Sequence, residues 1–375
     1  MKVLITGANG FIGRNLKLRL RERRDVQMVC YTRDNHAEQL ARLLDGVDFV
    51  FHLAGVNRPQ DTKEFATGNT DFTSYLCQVV ASVAESIGRP IPILFTSSTQ
   101  AAQDNAYGRS KREAEAALQM AGPLVPAHVF RLPNVFGKWC RPNYNSAVAT
   151  FCYNITRGLP IRIDDPQAAV TLVYVDDVID HFVQLMDGAD AAVDADGFEM
   201  IMPQYTVTVG ELARQLASFK DSRATLMTDR VGGGWGRALY ATYVSYLPVE
   251  AFAYEVPHHA DPRGVFVEML KTQDSGQFSY FTAHPGVTRG GHYHHSKTEK
   301  FLVIQGEAKF RFRHMQDGQV HELVTSGMAP RIVETVPGWT HDITNVGQSE
   351  LVVMLWANEV FDRTRPDTYA CPVLD

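Results

Sequence analysis

Four side chains near the C-terminal end have the types and spacing of a metal-ligand set. His292 and His294 stand two apart in Gly286-Val-Thr-Arg-Gly-Gly-His292-Tyr-His294-His-Ser-Lys-Thr-Glu299. On a β-strand that spacing turns both imidazoles to one face and Tyr293 to the other. Glu299 follows a short Ser-Lys-Thr turn, from which a returning strand can bring it beside them. His341, in Pro337-Gly-Trp-Thr-His341, is the fourth candidate. Three imidazoles and one carboxylate suit a single divalent ion of borderline softness, zinc before others.

A second chemistry is written near the N-terminus. Thr6-Gly7-Ala-Asn9-Gly10-Phe11-Ile12-Gly13 separates a short apolar run from a helical pattern. Gly7 permits the tight turn, Gly10 lets backbone approach a pyrophosphate, and Gly13 allows close helix–strand packing. The helix N-terminus then faces the negative charge of a dinucleotide. Arg14 opens the helix, and Arg33 follows the second strand where an acidic residue would favour NAD. Two arginines near the ribose suit a 2′-phosphate, so the expected cofactor is NADPH. Tyr107 and Lys111, four apart, share one helix face. The lysine lowers the phenol pKa and holds the nicotinamide ribose, and the tyrosine gives a proton to a carbonyl oxygen as hydride arrives. Ser97-Ser98-Thr99 ends the preceding strand and offers hydroxyls to that oxygen.

These residues need two kinds of scaffold. Strands are expected over 2–6, 26–31, 49–53, 91–97 and 127–132, alternating with helices over 10–23, 36–44, 70–86 and 108–120. That alternation predicts a doubly wound parallel sheet. The segments 170–175, 177–186 and 209–220 read as a smaller mixed extension of it. Gly232-Gly-Gly234 marks a flexible break. Beyond Ala251 short alternating strands take over, at 265–270, 278–282, 300–304, 308–313, 331–336 and 350–357, which predicts an all-β barrel or sandwich. The boundary is placed at 245/246. Lys309, Arg311 and Arg313 alternate with Phe310 and Phe312, the pattern of a solvated strand face and, less simply, of a phosphate groove.

The totals agree with a two-domain globular protein. The 375 residues are 45% hydrophobic and 21% charged, with a net charge of -6. That balance gives no reason to expect nucleic acid or an anionic membrane as partner. Five scattered cysteines read as reduced thiols, and the N-terminal apolar run is broken too soon for a signal peptide. A cytoplasmic protein is expected.

With these motifs in place, residues 1–245 resemble the extended short-chain dehydrogenase/reductases that act on nucleotide sugars. His52-Leu-Ala-Gly55, Arg131-Leu-Pro-Asn-Val-Phe-Gly137 and Tyr174-Val-Asp-Asp177 strengthen the resemblance. It implies Tyr107 as acid/base, Lys111 as its partner and Ser98 as third member, with Thr99 as a possible substitute. It also implies Leu53, Ala54 and Pro133 near the cofactor. Eight residues separate Ser98 from Tyr107, where these enzymes usually carry a longer loop, and an open or differently lidded sugar site is expected.

Residues 246–375 resemble the cupins, whose fold is a double-stranded β-helix. Gly286, His292, His294, Glu299 and Gly306 keep the first cupin motif, and Pro337, Gly338, His341 and Asn345 most of the second. The region also resembles the dTDP-sugar 3,5-epimerases, through Asp261-Pro-Arg-Gly264-Val-Phe-Val-Glu268 and Arg289-Gly-Gly-His292-Tyr. There a histidine in the position of His292 is a base; in metal cupins it is a ligand. If it binds metal, His295, His259 and Tyr280 are the alternative bases.

The two-part order resembles the CapF/WbjC-type capsule and O-antigen enzymes. The resemblance implies a UDP-linked 4-keto-6-deoxy amino sugar as substrate, C3 epimerisation by the cupin, C4 reduction with NADPH, and a homodimer. One alternative is a reductase whose cupin is non-catalytic and serves dimerisation or sugar sensing; another is an oxygenase cupin.

Overall fold

The computed structural model describes residues 1–374 apart from 257, 262–263, 268–269, 273–275 and 360–363; at 258–261, 264–267, 271–272, 277 and 279 it describes backbone alone. The chain forms two compact units. One comprises residues 1–135 and 171–206, the other 136–170 and 207–375.

The first unit is built on β1 (Lys2–Thr6), α1 (Phe11–Arg21), β2 (Gln27–Tyr31), α2 (Gln39–Leu43), β3 (Phe49–His52), α3 (Lys63–Phe65), α4 (Phe72–Ile87), β4 (Ile93–Ser98), α5 (Ala106–Gln119) and β5 (Ala127–Leu132). The five strands are parallel, in the order β2-β1-β3-β4-β5. Alternate residues feed opposite faces. Leu4, Val50, Ile93 and Phe95 pack with Leu40, Leu76, Val80, Ala114 and Leu118. On the other face Phe51 and Phe130 meet the ring of Phe182, at 6.5 and 5.2 Å. Helices therefore cover both faces, which is why the strands read as continuous apolar runs. The strand order reverses between β1 and β3, and in such sheets the crevice beyond that switch point is where ligands bind.

The chain continues through β6 (Asn134–Phe136), α6 (Ala147–Thr156), β7 (Ala169–Tyr174), α7 (Val175–Met186), β8 (Gln204–Thr208), α8 (Val209–Thr225), β9 (Met227–Thr228) and α9 (Gly234–Val244). α7 belongs to the first unit, where Asp187 just past its end pairs with Arg23 at 2.7 Å. α6, α8 and α9 belong to the second.

The rest is all β: β10 (Ala253–Glu255), β11 (His258–Asp261), β12 (Gly264–Val267), β13 (Lys271–Thr272), β14 (Gln277–Ala283), β15 (Thr288–Tyr293), β16 (Glu299–Gln305), β17 (Glu307–His314), β18 (Val320–Ser326), β19 (Arg331–Glu334), β20 (Trp339–Asn345), β21 (Leu351–Ala357) and β22 (Tyr369–Ala370). Two five-stranded antiparallel sheets, β10-β19-β16-β21-β14 and β18-β17-β20-β15-β22, form the all-β barrel or sandwich expected of this region, called the barrel below. Phe301 of the first sheet touches Phe310 of the second at 5.8 Å, and both are buried. On β17, Ala308, Phe310 and Phe312 point inward. Arg311 forms a two-point ion pair with Asp342, at 2.8 and 2.7 Å, and Lys309 lies 3.4 Å from Glu322. The alternating cations thus have local partners along the strand face.

Compactness does not divide the chain at 245/246. Residues 136–170 and 207–245 group with the barrel because they bury side chains on it. Tyr240 of α9 donates to Glu334 of β19 at 3.0 Å. The Trp139 ring lies so close to Gly338 that a Cβ there would meet it at 3.0 Å. Gly232-Gly-Gly234 is not a free break: Gly233 is the N-cap of α9.

Candidate active site and metal centre

The glycine turn is explained by its neighbours. Gly7 has φ +67, and a Cβ there would sit 2.6 Å from the Ala54 nitrogen and 2.7 Å from the Leu53 carbonyl carbon. This brings the turn after β1 against the chain leaving β3, at the switch point. A Cβ on Gly13 would lie 2.4 Å from the Gly7 oxygen. Gly10 caps α1 with extended backbone and no side chain, leaving the helix N-terminus bare toward an anion. Phe11, Ile12 and half-buried Arg14 form its first turn. Asn9 is exposed and accepts from Lys17 at 3.0 Å. Arg33 is exposed beyond β2, while the Asp34 carboxylate accepts from the Thr32 hydroxyl at 3.2 Å. Pro133 follows β5, half-buried. His52 is a core residue. Its nitrogens meet the Thr6 and Thr73 hydroxyls, both at 2.8 Å, and burial pushes its pKa down to about 3.

Tyr107, Lys111 and Ser98 come together. The Ser98 side chain lies near enough to the Tyr107 phenol to pull its pKa down, and Lys111 Nζ lies 6.0 Å from the Tyr107 ring centre. The eight-residue link is closed by a 3₁₀ turn, Thr99–Ala102, folded back on the first turn of α5. Gly108 makes room: a Cβ there would meet the carbonyl oxygens of Gln100 and Gln103, both at 2.4 Å. Arg112 donates to the Ala101 carbonyl and, at 2.7 Å, to that of Gln103. Asn105 caps α5 by accepting from the Gly108 amide at 2.8 Å. Burial raises the Tyr107 pKa, partly offset by Ser98, so the phenol keeps its proton at neutral pH. Burial lowers Lys111 to about 8, with Glu115 pulling the other way. Lys111 Nζ donates to the Thr96 carbonyl at 2.9 Å and would lie 3.3 Å from a Cβ on Gly55. Glu115 is itself held by the Arg131 guanidinium at 3.0 and 2.7 Å.

In the barrel, His292, His294, Glu299 and His341 converge, with one ligand atom from each within 4.8 Å of all the others. His292 and His341 are cross-strand partners on β15 and β20. A bulge between Gly290 and His292 aims the first imidazole, and Gly290 and Gly291 supply the positive φ it needs, 99° and 72°. Glu299 opens β16 and places Oε2 3.1 Å from His294 Nε2 and 3.6 Å from His341 Nε2.

The donors fit a cation. His294 Nδ1 lies 2.6 Å from the Asp367 carbonyl, which can only accept, so Nδ1 carries a proton and Nε2 is the nitrogen turned toward Glu299 and placed to ligate. Both nitrogens of His341 are buried without a hydrogen bond among the described residues. Burial and two neighbouring imidazoles push His292 down to about 3, which keeps it neutral as a ligand must be.

Of the alternative bases, Tyr280 is exposed on β14. His295 is buried with its ring 5.0 Å from Tyr369. The side chains of His259 and of Asp261–Glu268 lie outside what the structure describes. Asp367, absent from the sequence reading, organises the loop between the ligands. Its carboxylate accepts from the amides of His295, Ser296 and Lys297 at 2.9, 3.0 and 2.7 Å.

Residues 3–199 match the NAD dependent epimerase/dehydratase family and residues 259–369 the polysaccharide biosynthesis C-terminal domain. A curated relative from Pseudomonas aeruginosa is 60% identical over all of this chain and 99% of its own; it is named UDP-2-acetamido-2,6-beta-L-arabino-hexul-4-ose reductase. The crystal structure of the capsular polysaccharide assembling protein CapF from Staphylococcus aureus matches 99% of this chain and 100% of its own, with TM-score 0.68 and 39% identity. The chain belongs to the CapF-type family. UDP-glucose 4-epimerase from Thermotoga maritima shares the fold of the CapF-type N-terminal part, at 21% identity and TM-score 0.51 over 59% of this chain and 82% of its own. Among the described residues no helix is long and apolar enough to cross a membrane.

Proposed function

We propose that this chain is a bifunctional UDP-sugar enzyme. The barrel epimerises C3 of a UDP-2-acetamido-2,6-dideoxy-hexos-4-ulose. The N-terminal enzyme part reduces its C4 ketone with NADPH to UDP-2-acetamido-2,6-dideoxy-L-talose, on the route to UDP-N-acetyl-L-fucosamine. The observation that carries the reading is the grouping of Tyr107 with Ser98, near enough to act on the phenol, and with Lys111 beside its ring, in a chain 60% identical to a UDP-sugar 4-ketose reductase.

Gly7, Asn9, Gly10, Phe11, Ile12, Gly13 and Arg14 hold the dinucleotide phosphates, with Leu53, Ala54, Pro133 and Lys111 toward the nicotinamide. The cofactor supplies a hydride to C4. Tyr107 gives its phenolic proton to the C4 oxygen, so the ketone gains one hydride and one proton. Ser98 holds that oxygen, and the Lys111 charge stabilises the phenolate left behind. A keto group at C4 acidifies the C3 hydrogen. A base removes that proton, returning it to the other face inverts C3, and reduction of C4 then fixes the result. His292, His294, Glu299 and His341 would hold one divalent ion, whose chemistry is either to polarise the C4 ketone or to stabilise the barrel. With His292 as ligand, the base is another residue.

The test is NMR of the product formed from the UDP-keto-sugar and NADPH. A C4 alcohol unchanged at C3, with no deuterium entering C3 in heavy water, would leave only a reductase with a non-catalytic barrel. Sedimentation checks the homodimer that the reading includes.

Two further outcomes are expected. Arg33→Ala raises the KM for NADPH by about 10-fold while leaving that for NADH within about 2-fold, since only the former carries the 2′-phosphate. Equal changes for both would reject the arginine's role. The reductive rate falls as pH rises through about 8, where Lys111 loses its charge, whereas Tyr107 stays protonated throughout. A flat profile to pH 9.5 in steady-state kcat would contradict it.

A further inference from the structure

The loop from His295 to Thr298 separates two of the four candidate ligands, and it is held from three directions. Asp367 takes three successive backbone amides in its carboxylate, with the Ser296 hydroxyl as a fourth donor at 3.2 Å. The same residue's carbonyl receives His294 Nδ1, so one residue sets both the loop and the imidazole. Asp367 does so with φ +35, a conformation that L side chains rarely adopt. Asn358, at the end of β21, is fully buried and exchanges two hydrogen bonds with Thr298, at 2.9 and 3.0 Å.

The third direction comes from outside the barrel sequence. Arg237, on the first turn of α9, donates to the Ser296 hydroxyl and lies 3.7 Å from the Asp367 carboxylate and 3.5 Å from that of Glu359. The Val231 carbonyl accepts from Asn358 Nδ2 at 3.2 Å. Gly232 lies so close that a Cβ would meet the Asn358 oxygen at 2.8 Å. The glycine-rich stretch before α9 is therefore pressed on the residues that shape the ligand loop.

We propose that Arg237 and Asp367 are positioning residues of the metal centre, and that the segment Val231–Arg237 is an integral part of it. This rests on the reading of His292, His294, Glu299 and His341 as a metal site. Arg237 neutralises Asp367 and fixes Ser296, Asp367 fixes the loop and the His294 tautomer, and the loop sets the His294–Glu299 separation. Outer partners of this kind typically change metal affinity by 10- to 100-fold without touching the ion.

The experiment is competition for zinc against a chromophoric chelator, using the full chain. Asp367→Asn is expected to weaken zinc binding 10- to 100-fold, Arg237→Met about 10-fold, and Arg237→Lys to recover part of that loss. Gly232→Ala approaches the loop from the other side and is expected to weaken binding about 10-fold. Should Asp367→Asn fail to fold, the Arg237 and Gly232 variants carry the test. The cobalt-substituted protein supplies a second readout, because its d–d absorption reports ligand geometry and is expected to shift in Arg237→Met. Zinc affinity and cobalt spectrum unchanged in folded Arg237→Met and Gly232→Ala would overturn the proposal. If the unaltered chain itself binds no stoichiometric zinc, the metal-site reading fails instead, and the two failures are distinct.

Discussion

Tyr107→Phe is expected to lower the turnover of NADPH oxidation by about 10²- to 10⁴-fold, the range for losing a positioned general acid. The ring stays, so its contact with Phe65 at 5.7 Å survives and folding is unaffected. The phenol is the only donor replaced, and Ser98 cannot stand in, because a serine hydroxyl is a far weaker acid. Deuterium exchange at C3 is expected to persist in this variant, since the proposed epimerase site has its own residues in the barrel. Loss of both activities in a folded protein would refute separate sites. Lys111→Met makes the complementary test. Reduction is again lost, yet stability is not. A lysine held at about 8 in the fold and 10.5 outside it destabilises the fold at every pH below 8, by about 3 kcal/mol. That penalty is relieved as pH rises from 8 to 10.5. Methionine removes it but leaves the Thr96 carbonyl without its ammonium donor, at about 1–3 kcal/mol. The expected melting temperature is therefore at or above that of the unaltered chain at pH 7. A clear fall would show that the ammonium supports the fold rather than the chemistry.

The candidate site residues could be picked out because their signals are local. A glycine turn after an apolar run, a four-residue Tyr–Lys spacing and a two-residue His–His spacing each map onto one element. The five parallel strands were legible for the same reason. α9 was not. Every residue from Ala238 to Val244 is buried, so this part of the helix has no polar side to give a 3.6-residue period, and Gly232 and Gly233 precede a helix that itself opens on Gly234. α6 carried one readable sign, Ser146, whose hydroxyl accepts from the Ala149 amide at 3.2 Å, ahead of a β-branched and aromatic run that reads equally as strand. Asp367 had no readable sign. Its partners are backbone amides some 70 residues away, and no spacing rule links a carboxylate to amides at that distance. Compact grouping follows burial rather than composition: composition changes near residue 246, whereas Tyr240, Arg223 and Trp139 bury side chains against the barrel.

Glu334→Gln is expected to have the largest effect on stability in the chain. Glu334 is buried on β19 between two cations, Lys300 of β16 in direct contact and Arg223 of α8 at 3.1 Å. Tyr240 donates to the same carboxylate, and Lys300 also reaches the Tyr240 and Tyr254 hydroxyls at 3.2 and 3.3 Å. Burial alone would lower the Lys300 pKa; the Glu334 charge outweighs it, and the net shift is upward. For Glu334 burial is likewise outweighed, by Lys300 and Arg223, and the net shift is downward. The ionic contribution is thus lost as pH falls through the depressed carboxyl pKa or rises through the elevated ammonium pKa, and is fully present between 4.5 and 10.5. Glutamine keeps the shape and removes the charge, leaving Lys300 and most of Arg223 buried without a counter-ion. Breaking a buried pair from one side costs about 3–5 kcal/mol, whereas replacing both partners by apolar groups is often neutral. Lys300→Met with Glu334→Leu is therefore expected to be much more stable than Glu334→Gln alone, Arg223 keeping the Ala251 carbonyl as acceptor. Urea unfolding followed by tryptophan fluorescence measures both, with fully buried Trp356 as reporter. Equal stability of the single and double variants would mean that the cluster is not an ion pair in solution. The same cluster ties α8 and α9 to the barrel sheet, so a fragment beginning at residue 246 would carry Lys300 and Glu334 without Arg223 and Tyr240. Since residues 136–170 also group with the barrel, the proposed epimerisation is accordingly best measured in the full chain carrying Tyr107→Phe rather than in a fragment.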